Sequence, residues 1–202
     1  MDRNQTKSKV NINGSIACLG GTGSFSHIVA QRLRPTWPIT SHTSIENVGN
    51  SVTHGECSMG VLPIENSTAG TIQETFDTIL RHKLSIIEEA FLPIAHHLLA
   101  RVVPKENGAT KLHTIETIYS HHKAFEQCRI FLEPLTKVNF IMVNDTARAA
   151  ELIASHHDPR VAAIGGEEAA QKHGLQILIK NIHSDRNNCT RFVIVQKRKS
   201  HL

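Results

Sequence analysis

The stretch SMGVLPIENS at residues 58–67 combines the two patterns that indicate the fold class of this chain. Residues 58–63 form a short apolar run that is typical of a buried β-strand, and three polar side chains follow at 65–67. Apolar residues then recur at helical spacing, which predicts a helix from Ser67 or Thr68 to about His82. The apolar members of this helix are Ile72, Phe76, Ile79 and Leu80. A strand that leads through polar residues into a helix is the basic unit of an α/β protein.

The same unit recurs on both sides of this stretch. Apolar runs predict further strands at 15–19, 40–43, 84–94, 97–103, 114–119, 137–143, 160–164, 175–179 and 191–196. Helical patterns and capping residues predict helices at 24–34, 44–53, 123–132, 145–154 and 166–172. This alternation predicts parallel sheets with helices on both faces. Because each helix start carries unpaired N–H groups and a partial positive charge, several starts that face one cleft would hold a dianion.

Length and composition exclude several classes of protein. A chain of 202 residues fits one large unit or two lobes of about 100 residues each. The apolar fraction of 40% and the charged fraction of 20% exclude a wholly disordered chain. The net charge is only +4, and no basic stripe with interleaved aromatic residues indicates nucleic-acid binding. A small positive excess is compatible with an anionic small-molecule substrate.

The cysteines and the N-terminal residues predict a cytoplasmic protein. No two of the four cysteines form a C-x-x-C pair, so we expect reduced thiols rather than a zinc or redox site. Residues 1–13 are polar and lack the apolar segment of a signal peptide, which predicts a flexible leader. No apolar run approaches the length of about 18 residues that a membrane-spanning helix needs.

Glycine and histidine motifs do not indicate a nucleotide or a metal. The glycine loop at residues 20–24 does not match the pattern G-x-G-x-x-G. It is either a tight turn between a strand and a helix or a loop whose backbone approaches a ligand closely. The 14 histidines include three adjacent pairs, but neighbouring residues on a strand point to opposite faces, so a pair alone cannot chelate one metal well. We expect neither a metal nor a cofactor.

Two polar segments carry the candidate chemistry, and each has a structural alternative. Glu65 stands beside Asn66 and Ser67 at a predicted strand end, where a carboxylate inside a cleft is a candidate acid. The alternative is a helix cap at Asn66 or Ser67. Thr190 offers a hydroxyl donor and Arg191 a fork for a carboxylate, whereas the alternative is the simple start of a strand. No nucleophile with a neighbouring base is evident, so a covalent hydrolase is not indicated.

Read with four other segments in order, these two resemble the catalytic domain of the prephenate dehydratases. The other segments are GGTGSFSH at 20–27, Tyr119-Ser120-His121 with Gln127-Cys128, Asp145-Thr146-Ala147, and Ala163-Ile164-Gly165 with Gly174-Leu175. The set covers nearly all of residues 15–198. The resemblance implies an α/β fold like that of type II periplasmic binding proteins, with two lobes that face each other across an active-site cleft. It places lobe one at 14–94 plus 183–199 and lobe two at 95–182, together one catalytic domain.

The resemblance also implies the decarboxylating dehydration of prephenate to phenylpyruvate in phenylalanine biosynthesis, without a cofactor or a covalent intermediate. Thr190 would donate a hydrogen bond to the departing hydroxyl, and Glu65 would supply a proton if burial raises its pKa. The implied catalytic residues are Thr190, Glu65, Asn66 and Gln127. The implied substrate-binding residues are Thr22, Ser67, Ser120, Thr146 and Arg191. The implied partners are dianionic prephenate and further copies of the chain, in a homodimer or a larger homo-oligomer, with no nucleic acid and no membrane.

Some features depart from the family pattern or leave alternatives open. Gly21 replaces the usual proline, Lys123 a common glutamine and His173 a common tyrosine. The chain also stops before the regulatory ACT domain of most family members, so we expect no phenylalanine feedback through that domain. An arogenate dehydratase, a non-aromatising prephenate decarboxylase and a non-catalytic small-anion binding protein stay open. Thr190-Arg191-Phe192 favours dehydration, because a decarboxylase need not help a hydroxyl to leave.

Overall fold

Two mixed β-sheets, each packed between α-helices, and one two-stranded sheet are present in the computed structural model, which describes residues 14–101, 105–106, 109–110 and 112–198. The predicted leader at 1–13, the end of a predicted strand at 102–103 and position 199 of the predicted lobe one lie outside these residues. The strands are, in chain order, β1 (Ile16–Leu19), β2 (Ile39–His42), β3 (Met59–Asn66), β4 (Gly70–Thr71), β5 (Leu84–Pro93), β6 (His97–Ala100), β7 (Lys105–Glu106), β8 (Ala109–Thr110), β9 (Thr117–Ser120), β10 (Asn139–Met142), β11 (Val161–Gly165), β12 (Gln176–Ile179) and β13 (Cys189–Lys197).

The helices connect these strands and are short. They are α1 (Phe25–Leu33), α2 (Ile45–Thr53), α3 (Gln73–Arg81), α4 (His122–Gln127), α5 (Arg129–Leu132), α6 (Thr146–Ala154) and α7 (Glu167–His173), with a 3₁₀ turn at Leu112–Thr114. Among the residues described, no helix has the length and apolar character that crossing a membrane requires.

The first sheet has the strand order β2-β1-β3-β13-β5, with β4 beside β3. Strand β1 runs parallel to β2 and β3, whereas β13 runs antiparallel to both of its neighbours. Helix α1 packs Ile28 on one face, and helix α2 packs Val48 on the other. Consecutive residues of β13 serve both cores, Phe192 towards α1 and Val193 towards α2, because side chains alternate along a strand. We refer to this sheet with α1, α2 and α3 as the first lobe.

The second sheet has the strand order β10-β9-β11-β6-β12. Strand β9 is parallel to β10 and β11, and β6 is antiparallel to β11 and β12. Leu98 packs against Leu132 of α5 on one face, and Leu99 packs against Ile153 of α6 on the other. This sheet with α4 to α7 forms the second lobe. The chain passes between the lobes from β5 to β6 and returns from β12 to β13.

The predicted two-lobed α/β class is confirmed, but the prediction of parallel sheets is wrong. Strands β13 and β6 each run antiparallel to two neighbours. Both strands follow a passage from the other lobe, so they enter their sheets from the opposite end. The predicted helix at 123–132 is also divided into α4 and α5 at Cys128.

The segment after Pro63 is a strand and a turn, not the predicted helix start. Strand β3 continues to Asn66, and the chain then turns and pairs β4 with its end. The turn closes because Oδ1 of Asn66 accepts hydrogen bonds from the backbone N–H groups of Thr68 and Ala69. Helix α3 begins only at Gln73. The prediction of a helix start at Ser67 or Thr68 is therefore wrong, and Asn66 caps a turn instead of a helix.

The glycine loop requires glycine at position 23 for two reasons. The backbone φ of Gly23 is +89°, which side chains disfavour. A Cβ atom at Gly23 would also lie 3.0 Å from the Cα atom of Ala169 in α7. The loop of the first lobe is therefore a tight turn that packs directly on the second lobe. Gly21 differs, because a Cβ atom there would meet no atom within 4 Å.

We expect Gly23→Ala to lower the free energy of unfolding by about 1–3 kcal/mol, since a side chain at positive φ is strained and the methyl group would press on Ala169. Gly21→Ala is the matched control, with an expected change within about 0.5 kcal/mol. Urea denaturation followed by circular dichroism measures both variants. Equal stabilities would contradict the role assigned to the contact between the loop and α7.

Candidate active site

A cavity of about 970 Å³ lies between the two lobes. The first lobe contributes the glycine loop, the end of β2 and residues from β3 and β13. The second lobe contributes the starts of α4 and α6 and the side chain of Gln127. The cavity therefore faces the carboxyl ends of β1 and β9, which is where open α/β sheets bind ligands.

The side-chain amide of Asn66 joins β3 to β13 at the wall of this cavity. Its Nδ2 lies 2.9 Å from Oγ1 of Thr190, 2.8 Å from Oδ1 of Asn188 and 3.2 Å from the carbonyl oxygen of Cys189. A carbonyl oxygen only accepts hydrogen bonds, so this side of the amide is the NH₂ group. Thr190 and Asn66 are 124 positions apart in the chain and become neighbours because β13 pairs with β3.

The hydrogen bond from Asn66 determines what the Thr190 hydroxyl can do. Because Oγ1 accepts from Nδ2, the hydroxyl proton must point elsewhere. Within the described part of the chain, no acceptor takes that proton, and the side chain lines the cavity. Thr190 is therefore positioned to donate a hydrogen bond to a group bound in the cavity.

The oxygen of the Asn66 amide collects donors from both lobes. Its Oδ1 accepts from the backbone N–H groups of Thr68 at 3.0 Å and Ala69 at 2.9 Å, and from the Thr68 hydroxyl at 2.7 Å. Since the Thr68 hydroxyl gives its proton to Asn66, its oxygen acts as an acceptor towards other groups. Nε2 of Gln127, from the second lobe, lies 3.2 Å from that oxygen and 3.4 Å from Oδ1 of Asn66.

The opposite end of the Gln127 amide contacts His96. Because Nε2 of Gln127 faces two oxygens of the first lobe, its Oε1 faces the other way, 2.7 Å from Nε2 of His96. An amide oxygen only accepts, so His96 carries its proton on Nε2. Burial lowers the pKa of His96 to about 4, which keeps this ring neutral near neutral pH.

Two helix starts meet across the cavity. The first turns of α1, at Phe25, and of α6, at Thr146, both line it. Ser24 caps α1 and Asp145 caps α6, each by accepting a backbone N–H with its side chain. The positive ends of two helix dipoles therefore point towards the same space, as an anion requires.

Charged and ring side chains complete the wall. Three cationic side chains and three carboxylates line the cavity, namely Lys123, Arg148, Lys172, Glu74, Asp145 and Glu151. Nη1 of Arg148 lies 2.6 Å from Oε2 of Glu151. His121 is the N-cap residue of α4 and also lines the cavity, and burial is the main cause that lowers its pKa. Among residues 14–101 and 112–198, no three His, Cys, Asp or Glu side chains are grouped so that they could hold a metal ion. The two helix starts and the three cationic side chains are the groups of this wall that suit a small organic anion.

The family model for prephenate dehydratase matches residues 16–200 of this chain. The chain belongs to the prephenate dehydratase family. It is 33% identical over 187 residues to the bifunctional chorismate mutase/prephenate dehydratase of Enterobacter agglomerans, an alignment that covers 91% of this chain and 47% of that protein. It is 36% identical over 188 residues to the prephenate dehydratase of Lactococcus lactis, with 91% of this chain and 64% of that protein covered.

A solved structure of the family has the same architecture. Prephenate dehydratase from Arthrobacter aurescens, solved in complex with L-Phe, superposes with a TM-score of 0.79 at 28% identity, over 92% of this chain and 61% of that one. The chain spans about half the length of the first curated relative it matches, with 47% of that prephenate dehydratase covered.

Five of the nine side chains predicted for a prephenate dehydratase site line the cavity. They are Thr22, Asn66, Gln127, Thr146 and Thr190. Asn66, Gln127 and Thr190 are joined by hydrogen bonds, whereas Thr22 and Thr146 stand at the two helix starts. The structure thus brings together the two distant segments on which the family resemblance rests, and the individual roles stay predictions.

Glu65 and Arg191 lie on the opposite face of the first sheet from the cavity. Arg191 pairs with Glu65 at 3.6 Å and with Glu89 at 2.6 Å, and the Glu65 side chain is 53% exposed. The cause is the alternation of side chains along a strand. The Glu65 side chain points to the opposite face from Asn66, and the Arg191 side chain to the opposite face from Thr190. The Glu65 side chain therefore lacks, in this structure, the burial on which its predicted role as a proton source depends.

Ser67 and Ser120 are also placed outside the cavity wall. Oγ of Ser67 accepts from the N–H of Cys189 at 2.9 Å and thereby ties the turn after β3 to β13. Ser120 is completely buried and donates to the carbonyl oxygen of Ile164 at 2.9 Å, between β9 and β11. Both hydroxyls hold strands together in this structure, and substrate binding by them stays a prediction.

Sequence reasoning missed three polar side chains of this network, namely Thr68, His96 and Asn188. His96 and Asn188 are 2% and 3% exposed, and both contact residues of the predicted site. A histidine two positions after Ile94 and an asparagine two positions before Thr190 carry no spacing signal of their own. Only the proximity of Asn188 to Thr190 in the chain could have indicated it.

We expect the free energy of unfolding to fall as the pH is lowered from about 6.5 to 4. Folded His96 gains a proton only near pH 4, whereas an unfolded histidine gains it near pH 6.5. The unfolded state therefore binds more protons in this window, and acid favours unfolding. His27, His97 and His121, whose pKa values burial also lowers, act in the same direction.

The contribution of His96 is measured by comparing the protein with His96→Gln in urea denaturation. Between about pH 7 and pH 4.5, the variant should lose roughly 2 kcal/mol less stability than the original chain. Identical pH dependence in both proteins would show that His96 does not titrate as its burial requires.

Proposed function

We propose that this chain converts prephenate to phenylpyruvate, carbon dioxide and water, as a carbon–oxygen lyase of phenylalanine biosynthesis. The observation that carries the proposal is the Thr190 hydroxyl, which Asn66 holds by its oxygen inside the cavity between the lobes. Membership of the prephenate dehydratase family supports the same reaction.

The reaction needs binding and one well-placed donor more than it needs a strong acid or base. Prephenate carries two carboxylates and a ring hydroxyl. One proton, taken from solvent, is consumed as the C–O bond breaks and water leaves, while the ring carboxylate departs as carbon dioxide and its electron pair completes the aromatic ring. Aromatisation supplies the driving force, so stabilising the departing hydroxyl lowers the main barrier.

In this mechanism, Thr190 donates its hydroxyl proton in a hydrogen bond to the leaving hydroxyl. An ordinary hydroxyl is too weak an acid to transfer that proton outright, so Thr190 acts as a positioned donor. Asn66 positions this hydroxyl, because its Nδ2 donates a hydrogen bond to Oγ1 of Thr190 at 2.9 Å. Gln127 contacts the Asn66 turn from the second lobe and keeps the two walls of the cavity in register.

The two carboxylates of the substrate find complementary charge in the cavity. The starts of α1 and α6 face it from different lobes, and Thr22 and Thr146 add hydroxyl donors at these starts. Lys123 stands at the start of α4, where its charge is shared with Glu126 at 3.1 Å. We propose that one carboxylate is bound by each lobe, so that closure of the lobes and substrate binding support each other.

The lobes of this mechanism correspond to the division proposed from the sequence, with lobe one at 14–94 plus 183–199 and lobe two at 95–182. What supports it is the strand order, since β1 to β5 and β13 form one sheet and β6 with β9 to β12 form the other. The segments that join the sheets run between β5 and β6 and between β12 and β13.

We also propose a cytoplasmic location and a homo-oligomeric state. Four unpaired cysteines, Cys18, Cys57, Cys128 and Cys189, support a reducing compartment.

Apolar side chains exposed on α3 and β5, with Leu80 at 75% and Phe91 at 67%, support association with a second copy. Light scattering after gel filtration at micromolar concentration should give at least twice the mass of one chain, and a single-chain mass would refute it.

The purified chain should convert prephenate to phenylpyruvate, and Thr190→Ala should lower kcat by about 10²–10³-fold because the donor to the leaving hydroxyl is lost. Thr190→Ser keeps a hydroxyl and should stay within about 10-fold of the original rate. Both are measured by the absorbance of phenylpyruvate.

The products distinguish the alternatives in the same assay. A product that retains the ring hydroxyl would identify a decarboxylase, and turnover of arogenate in place of prephenate would identify an arogenate dehydratase. Binding of prephenate without turnover would leave a small-anion binding protein. An unchanged rate in Thr190→Ala would remove Thr190 from the mechanism.

A further inference from the structure

His96 occupies the passage between the two lobes, after β5 and directly before β6. It lines the cavity, yet its side chain is 2% exposed. The ring of Phe25, in the first turn of α1, packs edge-on against it with 5.7 Å between ring centroids. The imidazole therefore has a fixed orientation, set by the packing of a first-lobe helix.

The hydrogen bonds around His96 have a single consistent direction. Backbone N–H groups of Thr68 and Ala69 fix the oxygen of Asn66 as an acceptor. That oxygen faces the NH₂ group of Gln127, so the oxygen of Gln127 must face His96. Nε2–H of His96 then donates at 2.7 Å.

Gln127 has little else to determine which way its side-chain amide points. Its backbone carbonyl accepts from the N–H of Ser184 at 2.7 Å, which holds the main chain but not the amide. The contacts from its Nε2 to the first lobe are long, at 3.2 and 3.4 Å. The short bond from His96 is therefore the strongest restraint on the amide.

A purely structural role would not require a histidine at this position. Nδ1 of His96 is buried and has no hydrogen-bond partner among the residues described, a condition that destabilises the folded state. An apolar side chain would avoid that cost. His183, whose Nδ1 accepts the backbone N–H of His96, and His97 are the neighbouring titratable groups, and both disfavour a positive charge on the ring.

We propose that His96 is a positioning residue, which holds the Gln127 amide so that its NH₂ group contacts the Asn66 turn and thereby keeps Thr190 aligned. The catalytic part of this inference rests on the proposed function. The hydrogen-bond part rests on geometry alone and is tested without turnover.

The kinetic test is a double-mutant cycle with prephenate. His96→Leu should lower kcat by about 10- to 50-fold with KM within about 3-fold, because misplacement of a few tenths of an ångström affects the transition state more than binding. His96→Gln can again place an NH₂ group towards Gln127 and should recover to within about 5-fold of the original kcat. In a Gln127→Ala background, His96→Leu should cause no further loss, because the two residues act through one contact.

His97→Leu is the matched control. His97 is also buried, and its Nδ1 accepts the backbone N–H of Asn181 at 2.9 Å, but it does not line the cavity. If loss of any buried histidine lowers kcat through reduced stability, both leucine variants should behave alike. We expect only His96→Leu to lower kcat when both proteins are assayed well below their melting temperatures.

A spectroscopic test does not depend on the reaction. In protein labelled with ¹⁵N-histidine, His96 should show a protonated Nε2 and an unprotonated Nδ1, and the Nε2 proton should exchange faster with water in Gln127→Ala. A proton on Nδ1, or exchange unaffected by Gln127→Ala, would overturn the inference whether or not prephenate is turned over. Conversely, an unreactive chain with the expected spectrum would refute the proposed function and leave the hydrogen bond established.

If the chain turns prephenate over and His96→Leu retains the original kcat, the positioning role is refuted while the proposed function stands. Additive losses from His96→Leu and Gln127→Ala would refute it equally, since the residues would then act independently.

Discussion

The geometry of the site depends on the hydrogen bonds of the Asn66 side-chain amide. Its two ends face different partners, an acceptor set on β13 and a donor set in the turn after β3. Reversing the amide would place NH₂ against N–H groups and oxygen against a carbonyl, so only one orientation is compatible with the backbone. The orientation of this amide determines the direction of the hydrogen bonds to its neighbours, Thr190 on one side and Gln127 on the other.

The meeting of the two distant segments could be predicted from sequence, but the face on which each residue lies could not. Asn66 and Thr190 form one cross-strand pair, and Glu65 and Arg191 form the next. Adjacent residues of a strand point to opposite faces of the sheet. Because the Asn66–Thr190 pair faces the cavity, the Glu65–Arg191 pair must face away from it. The sequence interpretation ended β3 at Pro63 and left residues 65–67 in a loop, where no such alternation applies. Continuation of the strand to Asn66 is a consequence of tertiary pairing with β13.

The strand and helix pattern was otherwise readable, because apolar runs and side-chain caps are local signals. Ser24, Ser44 and Asp145 cap the helices that the sequence predicts after them. Strand direction was not readable, since the antiparallel placement of β6 and β13 depends on how the chain passes between lobes. The role of His96 could not be predicted either, because it also depends on a contact between distant parts of the chain. Its importance comes from a contact with Gln127, which lies 31 positions away.

The placement of β13 between β3 and β5 has a consequence for how the protein is made. Strand β5 ends at Pro93 and β13 begins at Cys189, and the entire second sheet is encoded between them. On the ribosome, the second lobe can therefore mature while β3 and β5 still expose the edges between which β13 will insert. Pairings of such long sequence separation form slowly, so the insertion of β13 is expected late in folding. Thr190 arrives with this strand, so its hydrogen bond with Asn66 can form only after the whole second sheet has been synthesised.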